Sequence, residues 1–399
     1  MTLKENIKKF IPPFVLSVYH YKLALLGAFL YGFPGKNKGL KIIGVTGTSG
    51  KSTTVNFITR ILEEADNKVA FISSIIFKVG DKEWENKYKM TMPGRFVIQK
   101  FLRQAKNAGC KYVVLEVTSE GIKQFRHKFI NFDTVVFTNL GQEHIESHGG
   151  FENYRNAKLK LFKENQNTHV INADDENAKY FLDLPANKKI SFSIKNEKAK
   201  KIKLNLIGAF NIMNALAAVC ATENYGVDFE TCKRALLKVK AIPGRMEVVQ
   251  TEPFIVVVDY AHTPEQLESV YRSLTTNHSL QTTNLVCVLG SCGGGRDKWK
   301  RPVLGEIAKK YCKEIIITNE DPYDEDPIKI IEEVAEGAGK KAKKILDRKE
   351  AIKNAIELAE PGGVVIITGK GSEPWMCVKN GKKIPWDDRQ TAKEALKGP

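Results

Sequence analysis

The sequence lacks paired cysteines. Its seven cysteines are odd in number and scattered, and no two of them form a C-x-x-C pair. This pattern argues against a disulfide framework and against a structural zinc site, and it is typical of a reducing cytoplasm. The sequence also lacks zinc-finger spacing and the aromatic run of an RNA-binding sheet. We therefore expect a cytoplasmic protein without a nucleic-acid partner.

Long hydrophobic runs are scarce, and the one near the N-terminus is interrupted. Residues 11–33 are largely apolar and follow a lysine-bearing start, but His20 and Lys22 break the run and Gly32–Pro34 end it. These interruptions argue against export. We expect a helical segment packed on its own protein, with an interfacial helix in peripheral membrane contact as the alternative.

The composition is ordinary for a folded protein, but the charge is not balanced. At 399 residues the chain is long enough for two or three domains, and 42% hydrophobic with 27% charged residues is typical of proteins with apolar cores. The formal net charge of +16 favours anionic partners such as nucleotides and carboxylate-rich metabolites. Lysine-dense patches at 195–203 and 339–349 contribute much of this excess, and such patches more often form solvated faces than binding sites.

Apolar runs alternate with helical patterns along most of the chain. The candidate strands are 40–47, 68–73, 111–118, 133–140, 168–175, 254–261, 284–291, 314–321 and 363–371. Continuous β-branched runs between amphipathic helices predict an α/β fold with mostly parallel sheet. We predict an apolar leader (1–40), a central P-loop ATPase domain (41–242) and a C-terminal Rossmann-like α/β domain (243–399).

A glycine-rich loop follows the first of these strands and precedes a helix. It consists of Gly47, Thr48, Ser49, Gly50, Lys51, Ser52 and Thr53. Glycines let backbone N–H groups approach phosphates, and the helix N-terminus adds its partial positive charge. Lys51 can reach the outer phosphates, and the Ser52 hydroxyl can bind Mg²⁺. The stretch predicts a nucleotide site, against the alternative of a glycine turn that happens to carry a lysine.

Three further residues could complete such a site. Glu116 lies near the carboxyl end of a buried strand, where open α/β sheets bind ligands and where a carboxylate is costly unless it is paired or bound to metal. His144 follows another strand, and Lys158 lies on the next helix. Taken singly, His144 fits a structural or surface histidine and Lys158 fits a solvated lysine.

Together these motifs resemble the Mur ligases, the ATP-dependent amide-bond-forming enzymes of peptidoglycan synthesis. The closest resemblance is to the MurE type, which adds the third residue of the stem peptide. The matching stretches, in order, are GTSGKST, LEVTSEG, FTNLGQEHIESHGGFENYRNAKLKLF, GAFNIMNALAA, IPGRMEVV, VDYAHTPEQLE, GGGRDKWKRP, NEDPYDEDP and ITGKGSE. The short loop is the normal phosphate loop of this family, so the resemblance implies an ATP- and Mg²⁺-dependent ligase.

The resemblance also implies roles for individual residues. Ser52 and Glu116 would hold one Mg²⁺, and His144 would hold a second with Lys158, carbamylated on its side chain. CO₂ addition suits this role because it turns an ammonium into an anionic oxygen ligand for a hard cation. The remaining nucleotide-contacting positions are Asn211, Arg245, Asp259 and His262.

The mechanism implied is carboxylate activation. ATP would phosphorylate the terminal carboxylate of a nucleotide-sugar peptide, and the amino group of an amino acid would then displace phosphate from the acyl phosphate. Lys51 and two metal ions would stabilise charge on the transferred phosphoryl group, and domain closure would exclude water. The acceptor-contacting positions are Thr91, Thr118, Ser119, Gln124 and Arg126, and the amino-acid-binding positions are Arg296, Asp321, Tyr323, Gly369 and Glu373.

The sequence departs from the family pattern in three places. Only about forty residues precede the loop, too few for the N-terminal UDP-binding domain of MurE-type enzymes, so a lipid-linked acceptor is an alternative. The motif D-N-P-R, whose arginine grips the distal carboxylate of meso-diaminopimelate, is replaced by Glu320-Asp321-Pro322-Tyr323. We therefore predict a diamino acid such as L-lysine more readily than diaminopimelate. Thr118-Ser119-Glu120 replaces the family's Ser-Ser-His.

Two other interpretations stay open. A related ligase, such as folylpolyglutamate synthetase or the ligase half of cyanophycin synthetase, shares the YAHTPEQLE and GGGRDKWKRP stretches, but HGGFENYRNAK favours the MurE type. A non-catalytic, membrane-associated nucleotide-binding protein would have little need for a second Mg²⁺. We expect a monomer.

Overall fold

The structure is a computed structural model that describes residues 11–88, 90–276 and 284–398. Residues 1–10 of the predicted leader lie outside the described residues. Within the rest of the leader, Pro13–Leu30 form helix α1, which packs on a helix of the first α/β half. No helix in these three ranges is long and apolar enough to cross a membrane.

The first half contains an eight-stranded sheet. Its strands are β1 (Lys41–Thr46), β2 (Val69–Ile72), β3 (Ile76–Val79), β4 (Lys82–Glu85), β5 (Tyr112–Glu116), β6 (Thr134–Phe137), β7 (Thr168–Asn172) and β8 (Lys188–Phe192). They lie in the order β4-β3-β2-β5-β1-β6-β7-β8, and all neighbours are parallel except the β2–β3 and β3–β4 pairs. The predicted buried parallel sheet is confirmed.

Helices cover both faces of this sheet. The helices of the first half are α1 (Pro13–Leu30), α2 (Lys51–Glu64), α3 (Arg95–Asn107), α4 (Ser119–Lys123), α5 (Ile145–His148), α6 (Phe151–Glu164), α7 (Ala178–Leu182), α8 (Glu197–Lys201), α9 (Phe210–Glu223) and α10 (Phe229–Lys238). One core lies beneath α2, α9 and α10, and a second lies beneath α3, α6 and α7. Apolar residues on both sides explain why these strands read as continuous apolar runs.

The second half repeats the architecture around six strands. These are β9 (Glu247–Gln250), β10 (Ile255–Val258), β11 (Leu285–Leu289), β12 (Glu314–Thr318), β13 (Ala342–Ile345) and β14 (Val364–Ile367), in the order β13-β12-β11-β14-β10-β9. Only β9 is antiparallel to its neighbour. The helices are α11 (Pro264–Thr276), α12 (Lys300–Tyr311), α13 (Pro327–Ala338), α14 (Arg348–Glu357) and α15 (Asp388–Leu396), and β15 (Trp375–Cys377) pairs with β16 (Lys383–Pro385).

One expectation about the cysteines is wrong. Cys287 on β11 and Cys312, the residue after α12, form a disulfide with their Cα atoms 6.1 Å apart. The two residues are 25 positions apart in the sequence, and the pairing of β12 with β11, together with the bond from Lys313 N to Leu285 O at 2.8 Å, brings them together. Scattered cysteines therefore did not exclude an individual bridge.

Candidate active site

The phosphate loop joins β1 to α2. Its first glycine is required by its surroundings, because a Cβ on Gly47 would collide with Thr138 Oγ1. Gly50 has a φ of 76°, a conformation that favours glycine. The loop is held beside the end of β6, since Thr48 N donates to Asn139 O at 2.9 Å. Packing and backbone conformation thus explain both glycines.

Helix α2 begins with the two residues expected to act on phosphate and metal. Lys51 Nζ folds back and donates to Thr48 O at 2.8 Å. Ser52 Oγ donates to Glu116 Oε2 at 2.9 Å, and the backbone N–H of Ser74 donates to the same oxygen at 2.9 Å. Glu116 is buried at the carboxyl end of β5. The structure therefore places the strand carboxylate directly against the loop.

Lys158 approaches the same loop from α6. Its side chain is buried, and its Nζ donates to Gly47 O at 2.7 Å and lies 4.6 Å from the centroid of the Tyr154 ring. The His144 ring is 6.3 Å from the Tyr154 ring, centroid to centroid. Tyr154 OH is 2.9 Å from Thr48 Oγ1. Loop, lysine and histidine thus gather around one tyrosine.

The electrostatics of this cluster favour neutral nitrogen atoms. Burial, and then the charge of Lys51, holds the pKa of Lys158 well below its usual range, although Glu143 and Glu116 act in the opposite direction. Burial also lowers the pKa of His144, against the charge of Glu143. A neutral amine is the form that adds CO₂, and a neutral imidazole is the form that binds metal.

Residues of the second half reach into the same place. Arg245 Nη2 is 3.4 Å from Ser52 Oγ, and the guanidinium carbon lies 4.4 Å from the Tyr260 ring centroid. His262 Nε2 is 2.9 Å from Glu143 Oε1, which joins the loop after β10 to the loop after β6. The structure therefore brings both halves together around the phosphate loop.

The other two predicted nucleotide residues have structural partners. Asp259 accepts hydrogen bonds from Met246 N at 2.7 Å and Ala261 N at 2.6 Å, and burial raises its pKa. The side-chain amide of Asn211, on α9, donates to Ile207 O at 2.7 Å. Both residues line the cavity described next.

A cavity of about 820 Å³ runs between the halves. The predicted site residues that line it, besides the loop itself, are Thr91, Glu116, Thr118, Ser119, Gln124, Arg126, His144, Lys158, Asn211, Arg245, Asp259, His262, Arg296 and Glu373. Within the acceptor group, Ser119 Oγ is 3.2 Å from His148 Nε2, and Arg126 Nη2 donates to Gln124 Oε1 at 2.8 Å.

Three predicted amino-acid-binding residues do not line this cavity: Asp321, Tyr323 and Gly369. Asp321 is buried and accepts from Lys370 Nζ at 2.9 Å, and Lys370 also pairs with Glu373. Because Glu373 does line the cavity, Lys370 connects the buried motif to the cavity wall.

Sequence reasoning missed several residues of the site: Ser74, Glu143, His148, Tyr154 and Lys370. Three of them, Glu143, His148 and Tyr154, lie in the sequence stretch that already held His144 and Lys158, and this closeness in sequence was the available signal. Ser74 carries no sequence pattern of its own. From the turn after β2 it contributes a backbone N–H to Glu116, and its hydroxyl lies 2.7 Å from Ser52 Oγ.

Comparison with known proteins assigns both halves. Residues 45–222 match the Mur ligase middle domain, and residues 244–371 match the Mur ligase, glutamate ligase domain. A UDP-N-acetylmuramoyl-L-alanyl-D-glutamate--2,6-diaminopimelate ligase of Syntrophomonas wolfei is 38% identical, over 94% of this chain and 82% of the relative. A UDP-N-acetylmuramyl-tripeptide synthetase of Roseiflexus is 35% identical, over 94% of this chain and 81% of that relative.

Solved structures agree. A structure of UDP-N-acetylmuramoyl-L-alanyl-D-glutamate--2,6-diaminopimelate ligase is 29% identical, with a TM-score of 0.58 over 90% of this chain and 79% of that one. Mycobacterium tuberculosis folylpolyglutamate synthase complexed with ADP has a TM-score of 0.71 over 90% of this chain and 92% of that one, but it is only 16% identical and shows the fold alone. The resemblance drawn from the sequence is confirmed: the chain belongs to the Mur ligase family, and its named relatives from Syntrophomonas wolfei and Roseiflexus are of the MurE type.

Proposed function

We propose that this chain is an ATP-dependent ligase that activates the terminal carboxylate of a muramoyl peptide and joins it to an amino acid. The observation that carries the proposal is the cavity between the halves, which the phosphate loop, Glu116, His144 and Lys158 line together with Arg245 from the second half. Such a cavity can hold a triphosphate and an acceptor side by side. A nucleotide-binding protein without ligase activity would not need the predicted acceptor-contacting residues that also line this cavity.

The residues of the chain divide the chemistry between them. Lys51 would leave Thr48 O and turn to the outer phosphates, where its charge stabilises the transferred phosphoryl group. Asn211 would contact the adenine, and Arg245, Asp259 and His262 would complete the nucleotide site from the second half. The closed contact between the halves would exclude water, which otherwise hydrolyses an acyl phosphate.

The site fits magnesium in its donor chemistry. The Ser52 hydroxyl and the Glu116 carboxylate are oxygen donors 2.9 Å apart at the cavity wall, and they would hold one Mg²⁺. His144 and carbamylated Lys158 would hold a second. When bound, the ions neutralise charge on the phosphates. In the described parts of the chain, no three His, Cys, Asp or Glu side chains are grouped as a metal site. The carbamate proposed on Lys158 would add an oxygen ligand beside His144.

The amino acid and the acceptor are the finer parts of the proposal. Tyr323 stands where diaminopimelate-selecting enzymes carry arginine, and tyrosine cannot form the bidentate pair that arginine makes with a distal carboxylate. We infer a diamino acid such as L-lysine more readily than diaminopimelate, although relatives are named for the latter. The acceptor contacts would be Thr91, Thr118, Ser119, Gln124 and Arg126, with a UDP-linked or lipid-linked carrier. We keep the domain limits 41–242 and 243–399 and a monomeric state as parts of the proposal.

The experiment is ATP turnover with UDP-muramoyl dipeptide and a panel of diamino acids, followed by the mass of the product. We expect phosphate release only when acceptor and amino acid are both present, and a product heavier by one amino-acid residue. Phosphate release that ignores both additions would contradict the proposal. Phosphate release with a folate acceptor, and not with the muramoyl dipeptide, would favour the folylpolyglutamate synthetase alternative over this proposal.

A further inference from the structure

Helix α1 exposes an unusual amount of apolar side chain. The large hydrophobic residues exposed on it are Phe14, Val15, Val18, Tyr19, Tyr21, Leu25, Leu26, Phe29 and Leu30, and the rest of the described chain has only nine more. Phe14 is 70% exposed and Phe29 is 67% exposed. Half of the exposed large hydrophobics thus lie on one 18-residue helix, which we call the apolar helix.

The apolar helix buries small residues and exposes large apolar ones, the opposite of an ordinary surface helix. Its buried residues include Ala24, Gly27 and Ala28, which face α3, and a Cβ on Gly27 would lie 3.6 Å from the backbone of Arg95. The small residues therefore bring the two helices close together, while most of the large residues, Phe14 and Phe29 above all, stay exposed. A helix made only to complete the core would bury the large side chains.

The helix is nevertheless fixed to the protein. Arg103 of α3 donates from Nε to Tyr31 O at 2.8 Å, just beyond the end of the helix. The Tyr21 ring lies 5.9 Å from the Phe125 ring and 5.5 Å from the Phe129 ring. The helix is therefore held on the protein by these contacts, and its exposed apolar face has a fixed position.

Positive charge surrounds this face. From residue 6 to residue 62 the sequence has no acidic residue, and α3, beneath the helix, has Arg95, Lys100, Arg103 and Lys106 and no acid. Exposed Lys36 holds its ammonium 5.4 Å from the Phe33 ring centroid and 5.8 Å from that of Phe129. Lys160 lies 4.3 Å over Phe125. Aromatic and aliphatic side chains bordered by lysines match the interface of an anionic membrane.

We propose that the apolar helix docks this protein on an anionic membrane surface, lying in the lipid interface without crossing it. The large side chains would enter the boundary between headgroups and acyl chains, and the surrounding lysines would contact acidic lipid headgroups. A second copy of the chain fits this face less well, because pairing would bring two basic surroundings together. The inference does not depend on the proposed ligase activity.

The test is cosedimentation of the full chain with vesicles, at low and high salt. One vesicle population is phosphatidylcholine with roughly one-third phosphatidylglycerol, and the other is phosphatidylcholine alone. We compare the wild type with the double variant Phe14→Ser/Phe29→Ser. The matched control is Ile328→Ser/Ile384→Ser, which removes two exposed apolar residues from the second half (53% and 43% exposed).

We expect binding to the anionic vesicles that weakens with salt, and a loss of about tenfold or more in the helix variant but not in the control. Phosphate release with water-soluble substrates should stay unchanged in both variants, which separates this inference from the ligase proposal and shows that the variants fold. Equal binding by the helix variant, or no binding by the wild type, would overturn the inference. So would a vesicle-free dimer that the helix variant dissociates, because a second copy would then cover the face.

Discussion

At the scale of single residues, the proposed ligase chemistry depends on side chains that lie against the phosphate loop. Glu116 would be an ordinary buried carboxylate if it did not accept from Ser52 Oγ and Ser74 N beside the loop. Lys158 would be a solvated lysine, as its sequence context alone suggests, but it is buried against Gly47 O. Proximity to the loop therefore gives these common residue types their proposed roles.

Replacing Glu116 by Gln keeps the shape and removes the negative charge that would hold Mg²⁺. We expect kcat for phosphate release to fall by about 10²- to 10³-fold, because the charge on the phosphoryl group loses its counterion. The exposed Glu360→Gln, which loses a pair with Lys313 on the second half, is the control and should keep its activity. A Glu116→Gln enzyme with wild-type kcat would remove this residue from the metal site.

Tyr323→Arg restores the arginine that diaminopimelate-selecting enzymes carry in this motif. We expect kcat/KM for diaminopimelate to rise relative to that for L-lysine, because a guanidinium can pair with the distal carboxylate. The measurement is phosphate release with each amino acid at saturating acceptor. An unchanged preference would discredit the alignment of the motif.

At the scale of elements, α6 shows how a helix positions a lysine proposed to bind metal. It carries Lys158 in its middle and ends at Glu164, which accepts from His127 at 2.8 Å and from Lys128 at 2.9 Å in the turn after α4. These pairs fix the carboxyl end of the helix. Burial alone would raise the pKa of Glu164, but the bonds to His127 and Lys128 bring this pKa down to about 2.

Glu164→Gln should therefore destabilise the protein at neutral pH by about 2 kcal/mol, discounted for partial exposure. Because the folded-state pKa is depressed, this stability is present above the unfolded pKa and is lost as the pH falls from about 4.5 to about 2. Chemical denaturation at several pH values measures the difference in free energy of unfolding between the wild type and the variant. The control is Glu152→Gln, at a position of the same helix whose side chain is 84% exposed. A difference that persists undiminished at the acid end would contradict the assigned cause.

The elements also show what could be predicted from the sequence. Strands such as β1 and β5 were predictable because both faces are buried, which demands continuous apolar runs. The β3–β4 hairpin and β8 were not, since β4 (Lys82–Glu85) and β8 (Lys188–Phe192) expose charged residues at the sheet edges. In the site, motif residues were predictable. Ser74 and Lys370 were not, because only the fold brings Ser74 to Ser52 and Glu116 and pairs Lys370 with buried Asp321.

At the scale of the whole molecule, the site exists only where the two halves meet. Glu143 and His262 join them beside the loop, and Glu146 N donates to Asp297 Oδ1 at 3.0 Å while Lys298 N donates to Glu146 Oε1 at 3.1 Å. No single half carries the phosphate loop and the predicted amino-acid residues together. The proposed acyl transfer would therefore need both halves in contact, because the residues assigned to it come from both.

The most direct test follows one oxygen atom. The terminal carboxylate of the acceptor is labelled with oxygen-18, and the inorganic phosphate released during ligation is analysed by mass spectrometry. Activation as an acyl phosphate predicts that one labelled oxygen passes from the carboxylate into each phosphate, because the amine displaces it together with phosphorus. Phosphate that carries no label, released while the amide product forms, would contradict activation of the acceptor carboxylate as an acyl phosphate.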